Sequence, residues 1–260
     1  MLRLNFLFAL CLGVFSLPSF GIIGGSPANG ILPQVVGLKV FKDSKIVSLC
    51  TGTIVGKKTI LTAAHCLVNS RLDVYDTDAR RVEVDFGQGR EGIFAYAIPS
   101  KFRGLKKELD EAIGKKNHFS AEKLRGLLLA TARSDLALLY TREPLPNSDK
   151  PILLSHKKAL SEQEVLISGY GEVQENGIKF FPDELYVGKN KIHSLEDGYL
   201  ILRMNPSKAI SAAGDSGGPL LNADQEIIGV LSGGGPYAGT RESFYSETHQ
   251  WLSWLAPRIR

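Results

Sequence analysis

Cysteine is scarce in this chain, with three in 260 residues, at positions 11, 50 and 66. So few cannot make a small scaffold held together by disulfides. His, Cys, Asp and Glu show no metal-ligand spacing, and there is no glycine-rich phosphate loop. Internal repeats and low-complexity tracts are missing as well. Neither sign of charge dominates. The net charge of +4 and pI near 8.9 are too mild to argue for nucleic acid. Strand-helix-strand alternation is absent, which disfavours a parallel α/β fold. The nearly all apolar stretch Leu4 to Leu17 falls short of the roughly 20 residues that a membrane span needs.

What is present describes an ordinary globular chain, 43% hydrophobic and 22% charged, long enough to bury a core. Its first residues read as a secretory leader. Arg3 supplies a positive start, Leu4 to Leu17 the apolar stretch, and Ser19-Phe20-Gly21 a small-x-small cleavage site. Secretion, extracellular or periplasmic, is therefore expected after loss of residues 1–21. Cys11 leaves with that leader. The remaining pair, Cys50 and Cys66, reads as one disulfide in an exported chain, with two buried free thiols as the alternative.

Short strand-like runs punctuated by Gly, Pro, Asn and Asp follow Ile22. They fall at Gln34–Val40, Ile46–Leu49, Gly52–Val55, Thr59–Thr62 and Val82–Phe86. After a gap come Leu136–Tyr140, Ile152–Leu154, Glu164–Ser168, Leu185–Val187, Tyr199–Arg203, Pro219–Leu221 and Ile227–Leu231. The pattern favours an antiparallel sandwich or barrel, with Thr141–Ser148 linking two halves. Two stretches read as helical. In 101–132, Leu105, Leu109 and Ile113 recur every four residues, and Leu124, Leu127 and Leu128 form a second stripe. At the C-terminus, Ser246 is placed to cap a helix carrying Trp251, Leu252, Trp254 and Leu255, with Pro257 ending it.

The most informative stretch is Gly214-Asp215-Ser216-Gly217-Gly218-Pro219. Its glycines allow backbone angles that a Cβ would forbid. Such a turn presents a serine and leaves the N–H groups of Gly214 and Ser216 free to serve as an oxyanion hole. A serine hydroxyl needs an imidazole to take its proton, and that imidazole needs a carboxylate to orient it. Of five histidines, only His65 has an informative context, at the end of a strand in Leu61-Thr62-Ala63-Ala64-His65-Cys66. A Cys50–Cys66 disulfide would fix its position. Asp135 in Ser134-Asp135-Leu136-Ala137-Leu138-Leu139 is a lone charge at the head of an apolar strand, where an acid costs energy unless partnered.

Together these segments, in the order His, Asp, Ser, resemble the chymotrypsin/trypsin family of serine endopeptidases. Ile22-Ile23-Gly24-Gly25 and Ser168-Gly169-Tyr170-Gly171 strengthen the match, which spans residues 22–255. The resemblance implies an all-β fold of two six-stranded antiparallel Greek-key barrels with a C-terminal helix. The first barrel is expected over 22–142, with a helical insertion at 101–132, and the second over 143–260. It implies Ser216 as nucleophile, His65 as base and then acid, Asp135 as its orienter, and Gly214 and Ser216 as oxyanion donors. It also implies that Asp215 pairs with a newly exposed Ile22 ammonium. Because the leader's cleavage site abuts Ile22, one cleavage on export could expose that ammonium without a zymogen step. A protein or peptide substrate, no cofactor and a monomer are expected.

Two departures from the family qualify this reading. Ile210 stands where trypsin-like members carry the aspartate that binds Lys or Arg, Ala212 replaces a cysteine, and Gly233 replaces a tryptophan. With Ser211, Ser232, Gly234 and Ser243 as the other walls, a small or apolar uncharged guest is expected. The spacing from His65 to Asp135 also exceeds the family's. The excess falls in residues 101–126, which hold eight basic and four acidic side chains. That stretch is either a solvated amphipathic hairpin or a device that gates the cleft or recruits an acidic protein or membrane surface. A catalytically silent binding protein on the same fold is the alternative to the enzyme.

Overall fold

The computed structural model describes residues 22–260, apart from 43–44, 69–81, 86–89, 115–119, 176–177, 197, 206 and 238. The expected leader at 1–21 therefore lies outside the described residues. β1 (Ser26–Pro27) comes first, followed by β2 (Val35–Lys42), β3 (Lys45–Gly56), β4 (Thr59–Thr62), β5 (Val82–Asp85), β6 (Arg90–Gly92) and β7 (Ala95–Ala97). Two helices, α1 (Ser100–Gly114) and α2 (Ala121–Ala132), precede β8 (Ala137–Tyr140). The second half holds β9 (Glu164–Gly169), the hairpin β10 (Val173–Glu175) and β11 (Ile178–Phe180), β12 (Tyr186–Glu196) and β13 (Tyr199–Arg203). It ends with β14 (Pro219–Leu221), β15 (Ile227–Tyr237), β16 (Thr240–Glu247) and α3 (Leu252–Leu255), which is flanked by 3₁₀ turns.

Two antiparallel sheets dominate. One runs β6-β5-β2-β3-β4-β8-β7. Its two edges are consecutive in the chain, separated only by Ile93-Phe94. The Ile93 N–H reaches the Val82 carbonyl on β5, and the Phe94 N–H reaches the Tyr140 carbonyl on β8. Residues 90–97 thus act as one bent strand that rolls the sheet into a barrel, which leaves no long open edge. The other sheet, β12-β13-β16-β15-β14-β9, closes through the β12–β9 ladder, with β1 added beside β12. Numbered one to six within each half, the strands of both barrels follow the same circuit, one-two-three-six-five-four. The two halves are alike in topology although the sequence shows no repeat.

β1 and the side chain of Ile22 belong to the second barrel, although they precede the first barrel in sequence. The expected boundary at 142/143 places these residues with the first barrel. The runs read as Ile46–Leu49 and Gly52–Val55 form one twelve-residue strand, β3. Ile152–Leu154 makes only an isolated bridge, from Leu154 to Ile227. Ser246 does not cap a helix. It sits in β16 and donates its hydroxyl to the Arg133 carbonyl, 2.7 Å away, while Glu247 precedes the first helical turn. Pro257 lies inside the last 3₁₀ turn rather than ending the helix.

α1 and α2 form an antiparallel hairpin, inserted between β7 and β8. Its buried stripe is Phe102, Leu109 and Ala112 on α1 and Leu129 and Ala132 on α2. Leu128, read from spacing as part of the stripe, is 40% exposed. Leu129 and Ala132 form a small separate core with Tyr199, Ile201 and Phe244 of the second barrel. The Ser120 hydroxyl caps α2 by accepting the Lys123 N–H. The insertion grows from the first barrel and docks on the second.

Candidate active site

β4 ends in small residues, Ala63 and Ala64, and the chain tightens into a 3₁₀ turn, Ala64–Cys66. Cys66 is bonded to Cys50 on β3, closing a loop with a sequence separation of 16. This staple fixes the turn that carries His65. Those two sulfurs lie near the His65 ring, but the disulfide leaves neither as a thiolate for a metal.

Asp135 stands between α2 and β8 and is 2% exposed. Three donors converge on its carboxylate. The His65 backbone N–H reaches Oδ1 at 2.8 Å, His65 Nδ1 lies 2.6 Å from Oδ2, and the Ser232 hydroxyl donates to Oδ2 at 2.5 Å. An ionised carboxylate only accepts, so Nδ1 carries the proton and Nε2 of the neutral ring is left as a base. The His65 side chain keeps 30% of its surface exposed, so that edge can meet a ligand. Burial works to lower the histidine pKa. The charge and hydrogen bond of Asp135 outweigh it and hold the pKa above its ordinary 6.5, with Lys106 opposing weakly.

The turn at 214–219 is built as its glycines suggest. Gly214 and Gly217 have φ of 93° and 84°, in the region where side chains are strained. A Cβ on Gly217 would lie 2.1 Å from Thr62 Oγ1 and 2.3 Å from the Thr51 carbonyl, so the two barrels meet at this residue. A Cβ on Gly214 would strike Phe181 at 2.8 Å. Among the described residues, the N–H groups of Gly214 and Ser216 donate to no protein acceptor. The Ser216 carbonyl accepts the Thr51 N–H at 2.7 Å and lies 3.8 Å from Cys66 Sγ, which sets the half-buried serine beside the histidine turn.

Thr51 is a residue that sequence reasoning missed. It is fully buried. Its hydroxyl donates to the Gly214 carbonyl and accepts the Tyr170 N–H, both at 3.1 Å. Its carbonyl accepts the Thr62 hydroxyl at 2.7 Å. One threonine of the first barrel therefore holds the serine turn of the second. Its only sequence signal is its position beside Cys50, which does not reveal four polar bonds.

Asp215 points away from the serine into the second barrel. Its carboxylate accepts the N–H groups of Gly171 and Ala212, both at 2.7 Å. A Cβ on Gly169 or Gly171 would lie within 2.5 Å of its Oδ1, which explains the glycines around Tyr170. Burial pushes its pKa up to about 8 against the pull of those two N–H bonds. Ile22, 1% exposed, fills the same barrel's core beside Ala209 and Ile210.

The expected pocket residues divide into two groups. Ile210 is fully buried and bridges Ile23, and the hydroxyls of Ser211 and Ser243 lie 2.5 Å apart. Ser232, Gly233 and Gly234 instead line a wider cavity together with His65 and Asp135. Its apolar lining includes Phe102, Leu109, Leu124, Leu128 and Phe244, with Lys106, Glu122 and Arg125 among its charged residues. Leu109, Leu124 and Leu128, each in a stripe read from sequence, hinted at it.

Comparison with known proteins agrees with this fold. The trypsin family model matches residues 22–255. Trypsin eta of Drosophila erecta is 26% identical, covering 98% of this chain and 97% of that protein. Serine protease SP24D of Anopheles gambiae is 25% identical over 92% of this chain and 81% of its own length. Among solved structures, the mouse brain serine protease neuropsin superposes with a TM-score of 0.59 at 18% identity, over 87% of this chain and 94% of that one. A Glu endopeptidase gives 0.61 at 15% identity, over 92% and 98%. These two show a shared double-barrel fold. With the family model spanning nearly all the described residues, the chain belongs to the trypsin family.

Proposed function

We propose that this protein is a secreted serine endopeptidase that cuts peptide bonds through an acyl-enzyme. The observation that carries the reading is the three-donor Asp135 carboxylate fixing the His65 tautomer beside a serine turn with two unpaired N–H groups. In this mechanism Ser216 Oγ attacks the peptide carbonyl carbon while His65 Nε2 takes its proton. The carbonyl electrons move onto oxygen, where the N–H groups of Gly214 and Ser216 stabilise the charge. The imidazolium, steadied by Asp135, then gives its proton to the departing amine. Water repeats the sequence and releases the acid.

Three finer points belong to the same proposal. A primary pocket bounded by Ser211 and Ser243 would favour an uncharged side chain over Lys or Arg, because Ile210 stands where a carboxylate would be needed to compensate a buried cation. Secretion fits the leader-like start and the disulfide, and snake venom serine proteases of Trimeresurus stejnegeri are among the relatives. Cleavage before Ile22 supplies an ammonium for Asp215 with no separate activation step. A carboxylate whose folded pKa is raised costs stability as pH climbs from its ordinary 3.8 towards about 8. A chain with residues still attached before Ile22 should lose stability over that window, and the trimmed chain should not.

The test is covalent labelling by a fluorophosphonate, compared with Ser216→Ala. Labelling that depends on Ser216 supports the enzyme. Its absence in the trimmed protein favours a silent binding protein.

A further inference from the structure

Away from the cleft, the first barrel carries another cavity, of about 430 Å³, with Lys58, Arg142 and Arg260 on its walls. The three cations come from three segments: the β3–β4 turn, the stretch after β8, and the stretch after α3. Elsewhere cations are matched to carboxylates, as Lys39 is to Asp85, Lys106 to Asp110 and Arg203 to Glu242. Among the described residues, no carboxylate pairs with Lys58, Arg142 or Arg260. Uncharged partners hold them instead. The Lys58 ammonium donates to the Arg142 carbonyl. The Arg142 guanidinium lies over the Phe94 ring at 5.7 Å, and that of Arg260 over the Tyr140 ring at 4.8 Å. The Arg260 N–H donates to Thr59 Oγ1 at 2.8 Å, and its carbonyl accepts the Lys58 N–H at 2.9 Å. These contacts orient the cations without neutralising them. Like charges gathered at one cavity repel, and an anion between them reverses that cost.

Tyr140 gives a second, independent sign. It lines the cavity and is 6% exposed, yet among the described residues its hydroxyl makes no hydrogen bond. A buried hydroxyl without a partner costs energy, so such groups are ordinarily satisfied. Burial raises the Tyr140 pKa above its ordinary 10, with Arg260 and Arg258 opposing it, so the hydroxyl is a protonated donor at neutral pH. Glu143 is the one acidic side chain of the lining, and it is exposed. The lining therefore offers three cationic donors and one neutral donor against a single solvated carboxylate.

We propose that this cavity binds a tetrahedral oxyanion, the phosphate or sulfate group of a small molecule. The proposal stands apart from the protease reading. An anion with three exposed oxygens can meet Lys58, Arg142 and Arg260 at once, whereas a carboxylate has only two. Guanidinium forks match such oxygens in pairs. The site is tied to the candidate triad through the sheet. Lys58 directly precedes β4, which leads to His65, and Tyr140 ends β8, which begins just after Asp135. Thr59 and Tyr140 are cross-strand partners at one end of this strand pair, and Thr62 and Ala137 at the other. An anion held there clamps the far ends of the two strands that carry His65 and Asp135.

The test is isothermal titration calorimetry of inorganic phosphate, phenyl phosphate and phenyl sulfate into the intact protein at low salt, with benzyl alcohol as the uncharged control. Saturable binding of at least one anion, and none of benzyl alcohol, is expected. Arg142→Met and Lys58→Met should each weaken it by roughly tenfold or more, as expected for losing one charge-assisted hydrogen bond. Tyr140→Phe keeps the ring and should weaken it by roughly threefold to tenfold. Arg142 is exposed, so its variant should fold. Lys157 is exposed, pairs with Asp224 and lines no part of this cavity, so Lys157→Met removes an equal charge and should leave affinity unchanged. Equal affinity for inorganic and phenyl phosphate identifies the free ion as the guest, and tighter binding of phenyl phosphate a monoester; either supports the site. Absence of saturable binding by all three anions overturns the proposal. So does an affinity that Arg142→Met and Tyr140→Phe leave unchanged, or one that Lys157→Met weakens as much as Arg142→Met does.

Discussion

The two walls of the cleft are held in different ways. On one side, His65, Asp135, Ser232 and Thr51 are fixed by short polar bonds within and between the barrels. On the other, α2 rests on apolar contacts with Tyr199, Ile201 and Phe244, supplemented by the Arg125–Glu242 link. Directional bonds specify atoms to within fractions of an ångström and tolerate little change. Apolar contact specifies volume and accepts substitutes. The polar wall therefore suits invariant chemistry, and the apolar wall tolerates substitution.

That contrast can be broken most severely at Asp135. Asp135→Asn keeps the shape but favours the wrong histidine tautomer, and kcat should fall by about 10⁴ with little change in KM. Removing the staple with Cys50→Ala and Cys66→Ala should lower unfolding free energy by about 3 kcal/mol, measured by urea titration, because the loop it closes is short. Thr51→Val is smaller still. It strips the Tyr170 N–H of its acceptor and the Gly214 carbonyl of a donor, so stability should drop by about 1–3 kcal/mol. If Thr51 positions the serine turn, kcat falls while KM holds. A loss of stability alone would make it merely structural.

The gentlest test asks whether the two walls communicate. His65 must be neutral to act as a base, so kcat/KM should fall as pH drops through a value above the ordinary 6.5. Lys106 on α1 opposes protonation of that ring. Lys106→Met should therefore move the acid limb to higher pH. An unmoved limb would mean that the insertion shapes the cleft without touching its electrostatics.

On the polar wall the sequence pointed to His65, Asp135 and Ser232 but not to Thr51. On the apolar wall it pointed to the leucine stripes but not to what they pack against. The reasons are physical. His65, Asp135 and Ser216 each sit in short motifs whose neighbours create the local geometry. β16 escaped notice because its inward residues look like surface. Glu242 is 2% exposed but bonded to Arg203 at 2.6 Å, and Ser243 and Ser246 are buried on hydroxyl bonds to Ser211 and Arg133. Partners 32 to 113 residues away cancel the cost of burying them, and no local pattern reports such partners. Leu128 misled in the opposite sense. Helical spacing placed it with the stripe, but the stripe turned towards Leu129 and Ala132, leaving Leu128 over the cavity.

The close approach at Gly217 has a consequence for the life of the molecule. On the proposed chemistry, the first barrel holds the base and its orienter, and the second holds the nucleophile and the hydroxyl of Ser232. A newly made chain with only one half folded owns no working scissors. On that chemistry, cutting power requires the two halves docked, with Gly217 against Thr62. A protease assembled in this way is safe from itself while it is still being made.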